Sequence, residues 1–98
     1  MQTMTLEHFA GRLNESFAVD TSAGPAPFVL VEARPLPPVA GFHGTLRAPF
    51  SLLFRHEAAV LFPQKVYPMT HAALGQFGIF LVPVARDRDG FIYQAVFN

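Results

Sequence analysis

The sequence predicts a mostly β domain: a six-stranded antiparallel small barrel or sandwich with one short N-terminal helix. Three observations point there. Stretches in which inward apolar residues alternate with their neighbours recur along the chain, which is the period of a half-buried strand. Clusters of Gly, Pro, Asp and Ser separate them at the close spacing of all-β folds. Only one stretch, near the start, has helical spacing.

Thr5 to Leu13 is that stretch. Leu6, Phe9, Ala10 and Leu13 fall at i, i+3, i+4 and i+7, on one helix face. Thr5 is the expected N-cap, and Glu7 in the first turn complements the helix dipole. Gly11 costs about 1 kcal/mol relative to Ala. So short a helix needs tertiary packing to persist, and it is expected to plug a barrel end or cover a sheet face.

Glu15 to Asp20 alternates, with Phe17 and Val19 inward and Ser16, Ala18 and Asp20 outward. Thr21-Ser22-Ala23-Gly24-Pro25 is a turn cluster, and Pro27 to Arg34 returns as the second strand of a hairpin. There Val29, Val31 and Ala33 share one face; Phe28 and Leu30 share the other with Glu32 and Arg34. Pro35 to Arg47 holds three prolines and two glycines, which forbid a regular element. Arg34-Pro35-Leu36-Pro37-Pro38 is half of a polyproline ligand, but Ala40 stands where another Pro is needed, so it reads as a stiff crossing loop.

Ala48 to Arg55 is a third strand, with Phe50, Leu52 and Phe54 on one face. His56 to Pro63 connects it to a fourth, Gln64 to Thr70, with Tyr67 and Met69 inward and Pro68 marking a sheet edge. Gln76 to Val84 is apolar on both faces and is predicted to be buried on both sides. Pro83 within it predicts an edge, a bulge or the end of regular pairing. Asp87-Arg88-Asp89-Gly90 is turn chemistry, and Phe91 to Phe97 closes the hairpin with Phe91, Tyr93, Ala95 and Phe97 on one face.

Ninety-eight residues make one domain, 1–98, which buries roughly 65% of its unfolded surface. Hydrophobic residues are 51% of the chain and charged residues 14%, the latter against about 25% in ordinary soluble domains. A core this small cannot hide so much apolar material, so some is expected to face a protein partner, a homo-oligomer interface or a ligand groove. The net charge is zero and no basic stripe exists, which excludes a nucleic-acid role. Without Cys there are no disulfides, thiolate chemistry or Cys-based metal sites. No basic region followed by an apolar run opens the chain, so a cytoplasmic protein is expected. No run is long enough to insert across a bilayer as a helix.

No motif assembles chemistry. His56-Glu57-Ala58-Ala59-Val60 begins like H-E-x-x-H, but Val60 replaces the second metal ligand. Asp87 to Asn98 echoes a calcium loop but ends on an amide instead of a carboxylate. His8, His43, His56 and His71 have no metal-ligand spacing, and His71 is expected to cap backbone groups. Ser51 sits mid-strand with no nucleophile elbow. No catalytic, metal or cofactor residues are therefore assigned. The eleven Phe lie at strand-inward spacing among aliphatics, as core.

Pro49-Phe50-Ser51-Leu52-Leu53-Phe54-Arg55, Leu61-Phe62-Pro63-Gln64, Tyr67, His71, Leu74-Gly75, Phe80-Leu81-Val82-Pro83-Val84 and Tyr93-Gln94-Ala95-Val96-Phe97-Asn98 together resemble an uncharacterised bacterial family of proteins about this length, known only as a domain of unknown function. The likeness covers nearly the whole chain, including Thr5-Leu6-Glu7-His8-Phe9. It implies a bacterial protein, brings no activity or catalytic residues, and implies an accessory place beside phage-tail-like structures. The loop at Pro35 to Arg47 is where this chain is expected to differ most from relatives.

The expected function is a non-enzymatic interaction or assembly module, binding a protein partner or its own copies. Pro37, Pro38, Phe42, His43, Tyr67 and Pro68 are the expected partner-binding residues, on the long loop and the strand edge. The alternatives are a small barrel holding an apolar ligand, and a hydrolase assembled from Arg55, His56, Glu57 and His71.

Overall fold

The computed structural model describes residues 4–37, 48–58 and 60–98. It resolves the choice between sandwich and barrel in favour of a closed antiparallel barrel. The elements are α1 (Glu7–Ala10), β1 (Ser16–Thr21), β2 (Gly24–Pro35), β3 (Phe50–His56), β4 (Lys65–His71), β5 (Gly75–Asp87) and β6 (Gly90–Phe97). Around the barrel the order is β1-β2-β3-β6-β5-β4, with β4 returning to β1. Consecutive strands pair as neighbours except at one place. Two strands stand between β3 and β4 whichever way the barrel is followed, so the described residues that join them, 57–58 and 60–64, cross its end.

Inward positions follow the alternation read from sequence. Phe17, Val19, Phe50, Leu52, Phe54, Met69, Leu81 and Tyr93 are fully buried. The two ends of the barrel are closed by one phenylalanine each. At the first end α1 lays down Phe9, completely buried, with the rings of Phe17, Phe50, Phe77 and Phe97 about it at centroid distances of 6.0–6.1 Å. At the other end the crossing segment drops in Phe62, 5.5 Å from the His56 ring and 6.4 Å from Phe28.

Three expectations need correction. The helix is one turn, Glu7–Ala10, and not Thr5 to Leu13. Leu6 is its N-cap with no side-chain cap bond, because Thr5 spends its amide and hydroxyl on His8 Nδ1 instead. Leu13 is left 47% exposed, and Asn14 takes a positive φ of 71° to turn the chain into β1. Second, β5 is not buried on both sides. Ile79 and Leu81 face the core, whereas Phe80 is 48% exposed and Val84 49% exposed. A closed barrel of this size has no layer outside it to cover the second face.

Third, the second strand carries a bulge between Leu30 and Glu32. One extra residue reverses the side-chain parity beyond it. Ala33 therefore packs against the core rather than sharing a face with Val29. Glu32 and Arg34 are released to pair with each other at 3.0 Å in solvent. Pro83 marks the second bulge, between Pro83 and Ala85 in β5, as its missing N–H predicts.

Two measurements test this account. Phe9→Ala should lower stability by about 3–5 kcal/mol in urea unfolding, since it empties the barrel end, whereas Leu13→Ala should stay within about 0.5 kcal/mol. Gly75 and Gly90 both have positive φ, at 78° and 137°. A Cβ at Gly75 meets open space, but one at Gly90 would stand 2.2 Å from the His56 carbonyl oxygen. Gly75→Ala should therefore cost about 1–2 kcal/mol and Gly90→Ala distinctly more.

Candidate functional site

Ser51 is buried in mid-β3 and Arg55 Nε is buried with no hydrogen-bond partner among the described residues; apart from them, buried rings and hydroxyls gather in three places. The first joins the start of β1 to the end of β4. The His71 ring is packed 4.5 Å from Phe17. Its Nδ1 accepts the Ala73 N–H at 3.0 Å, so Nε2 carries the proton and donates to Glu15 Oε1 at 2.7 Å. Arg12 reaches the same carboxylate oxygen at 3.4 Å. The hydrogen bond from His71, then Arg12, holds the Glu15 carboxyl below its ordinary range.

A carboxylate against an imidazole is the positioning half of a hydrolytic triad. Such a pair works only if the other ring nitrogen faces a nucleophile. Here the Ala73 amide occupies that lone pair. The arrangement is the backbone cap expected of His71, tightened by a carboxylate that sequence spacing could not place beside it.

The second place is His56 at the end of β3. It stacks on Phe28 with ring centroids 4.8 Å apart and planes within 7°. Its Nδ1–H donates to the Pro27 carbonyl at 2.9 Å. The third is a pair of tyrosines under the crossing segment. The Tyr93 hydroxyl accepts the buried Phe62 N–H at 2.9 Å, and the Tyr67 hydroxyl donates to the Pro63 carbonyl. Burial, and then the neighbouring Tyr93, pushes the Tyr67 hydroxyl above its ordinary pKa.

The four residues considered for hydrolysis are not drawn together. Arg55 pairs with Asp87 at 3.1 Å, His56 with Pro27, His71 with Glu15, and Glu57 is exposed. His56 ends a strand, so the segment after it lacks the helical spacing that an H-E-x-x-H site needs. Among the described residues no group of three or more His, Asp or Glu is placed to hold a metal ion. Asp87 to Gly90 is a hairpin turn, with Asp87 Oδ1 accepting the Asp89 N–H at 2.8 Å. No helix among the described residues is long and apolar enough to cross a membrane.

The outer surface is less settled. Val66 and Phe80 are directly opposed in the β4–β5 ladder, on the outward face, and are 62% and 48% exposed. Val66 also lies over Gly78, which has no side chain to compete for the space. Val82 is the next outward residue along β5 and is paired with Gln94, whose outward neighbour on β6 is the exposed Val96. The register thus joins residues of three strands, β4, β5 and β6, into one apolar face free of charge at its centre. A separate open trough of about 460 Å³ runs over β1, floored by Ser16 and Ala18 and walled by Pro25, Pro27, Thr70 and Ala72.

Of the residues expected to meet a partner, Pro37 and Pro68 are exposed, and Pro68 lies beside this face, opposite Gly78. Tyr67 is inward, 2% exposed, so its ring offers nothing to a partner. Pro38, Phe42 and His43 lie outside the described residues. Val66, Phe80 and Val96 were not expected, because only the cross-strand register reveals that they adjoin.

A family model described as a domain of unknown function (DUF6916) matches residues 4–97. No curated protein and no solved structure matches the chain.

The Glu15 carboxyl sets an acid limit. Its folded pKa lies below the ordinary 4.5, so its contribution to stability is complete above that value and is lost as pH falls through the folded pKa. Thermal melts of the native chain and Glu15→Gln should differ at neutral pH, and the gap should narrow as pH drops below about 4.5.

Proposed function

The chain belongs to the DUF6916 family, and since that family has no assigned activity we propose a role from the barrel's own surface. It is a non-enzymatic interaction or assembly module that docks on a protein through the outer face around Val66 and Phe80. The observation that carries this reading is the placement of apolar side chains. The inward positions are filled, yet Val66, Phe80, Val84 and Val96 stand 48–62% exposed, three of them on one face joined through Val82. Contiguous apolar surface of this kind marks contact sites more often than scattered single residues do.

Filled inward positions also weaken the alternative of an apolar ligand held inside the barrel, since Leu30, Leu52, Phe54, Leu81 and Tyr93 occupy that space. The setting proposed is a bacterial assembly, an accessory place beside a phage-tail-like structure, with a larger β-structured protein or further copies of this chain as the partner.

Light scattering and sedimentation test the proposal. The native chain should associate above its 10.8 kDa mass, alone or with its partner. The double variant Val66→Asp, Phe80→Asp should fall back to monomer with a similar thermal melt, since neither residue is in the core. A native chain that stays monomeric at high concentration and associates with no protein of its host would overturn the proposal.

A further inference from the structure

The β1–β2 hairpin runs past the rest of the barrel, and its outer edge is made without hydrogen-bond donors. The direction of each backbone group follows from one residue. Leu30 donates its N–H to the Glu15 carbonyl at 3.1 Å and accepts the Asn14 N–H at 2.7 Å, so both its polar groups face β1. Along a strand these directions alternate residue by residue. Phe28, Ala26 and Gly24 therefore also face β1, opposite Phe17, Val19 and Thr21. Val29, Pro27 and Pro25 face the other way.

On that other side, pairing with β3 stops at Val29, opposite Arg55. Beyond it, among the described residues, Gly24 to Phe28 has no strand beside it. This is the kind of edge onto which another chain adds a strand. The two residues whose amides would point there are both proline, and neither has an N–H. The Pro27 carbonyl is already taken by His56 Nδ1–H at 2.9 Å. Of the four groups an added strand would need, the Pro25 carbonyl is left.

The β1–β4 seam repeats the device. Pairing runs over Ala18–Thr70 and Val19–Met69 and then stops. The residue that would face Asp20 next is Pro68. Proline is tolerated at free edges in any sheet. Here, however, it occupies both outward-facing amide positions of one edge, and a side chain covers a remaining acceptor. We infer that Pro25, Pro27 and His56 close this edge against strand addition by a second copy of the chain. The inference is independent of the face around Val66 and Phe80, which lies on other strands.

Restoring the donors tests it. Pro25→Thr, Pro27→Thr supplies two amides on residues that suit a strand without adding a greasy surface. The variant should self-associate roughly tenfold or more tightly than the native chain in sedimentation. Its new amides at 25 and 27 should exchange slowly with deuterium at high concentration and rapidly on dilution. Unchanged association would overturn the inference. So would amides already protected at the lowest concentration, since the edge would then be covered within one chain. The single variant Pro27→Thr restores one donor with less disturbance, and should show the same dependence more weakly; a native-like melt of either variant confirms that it folds. Val66→Asp, Phe80→Asp added to the Thr variants should leave the new association in place, which separates it from any contact through the outer face.

Discussion

Closing the barrel is the constraint on which the rest depends. Six strands joined into a ring leave an interior that side chains must fill, and two ends that strands cannot cover. This chain solves the second problem with Phe9 and Phe62, one from a single helical turn and one from the segment crossing between β3 and β4. Both are held by more than packing. The helix is tied to β2 through Asn14 and Leu30, and the crossing segment hangs from the hydroxyls of Tyr93 and Tyr67. The aromatic content of the sequence is largely the cost of this closure, because wide flat rings fill a narrow ring of strands from few positions.

The same constraint explains why the polar groups are spent as they are. The two buried imidazoles and the two tyrosine hydroxyls each tie parts of the chain together: His71 the β4–β5 turn, His56 the open edge of β2, the tyrosines the crossing. A buried polar group left without a partner is expensive, so these residues had to be satisfied locally. At His71 this satisfaction takes up both ring nitrogens, Nδ1 with the Ala73 N–H and Nε2 with Glu15. The apparent dyad of Glu15 and His71 is a case in which geometry looks catalytic until the second ring nitrogen is followed to its partner.

Much of the fold was legible because period-two alternation is a direct record of a one-sided sheet. Phe17 and Val19, Phe50 to Phe54, Tyr67 and Met69, and Phe91 to Phe97 all point where their spacing says. The failures have physical causes. Around Val31 an inserted residue flips parity, and nothing in Leu30-Val31-Glu32 marks it except that Glu32 would otherwise point inward. In β5 composition hides the alternation, because Phe80, Val82 and Val84 are apolar whether or not they are covered. The candidate contact face was less legible still. Val66 and Phe80 are fourteen positions apart in sequence and meet only through register, which depends on pairing across the whole ring.

Exposed valines in strands have an innocent explanation, since β-branched residues suit the extended backbone. That preference does not require an apolar surface. Threonine meets it equally well and stays hydrated, and Thr70 does so on the outward face of β4, four residues from Val66. Phenylalanine at position 80 places a large ring in water beside Val66 where a polar strand former would serve the backbone. The choice of apolar side chains on the face around β5, combined with prolines where the β2–β3 ladder and one end of the β1–β4 ladder run out, gives the surface a direction. On the proposed reading, backbone pairing is refused at these edges while side-chain contact is left open on one face, which would let a small barrel associate selectively without recruiting strands at random.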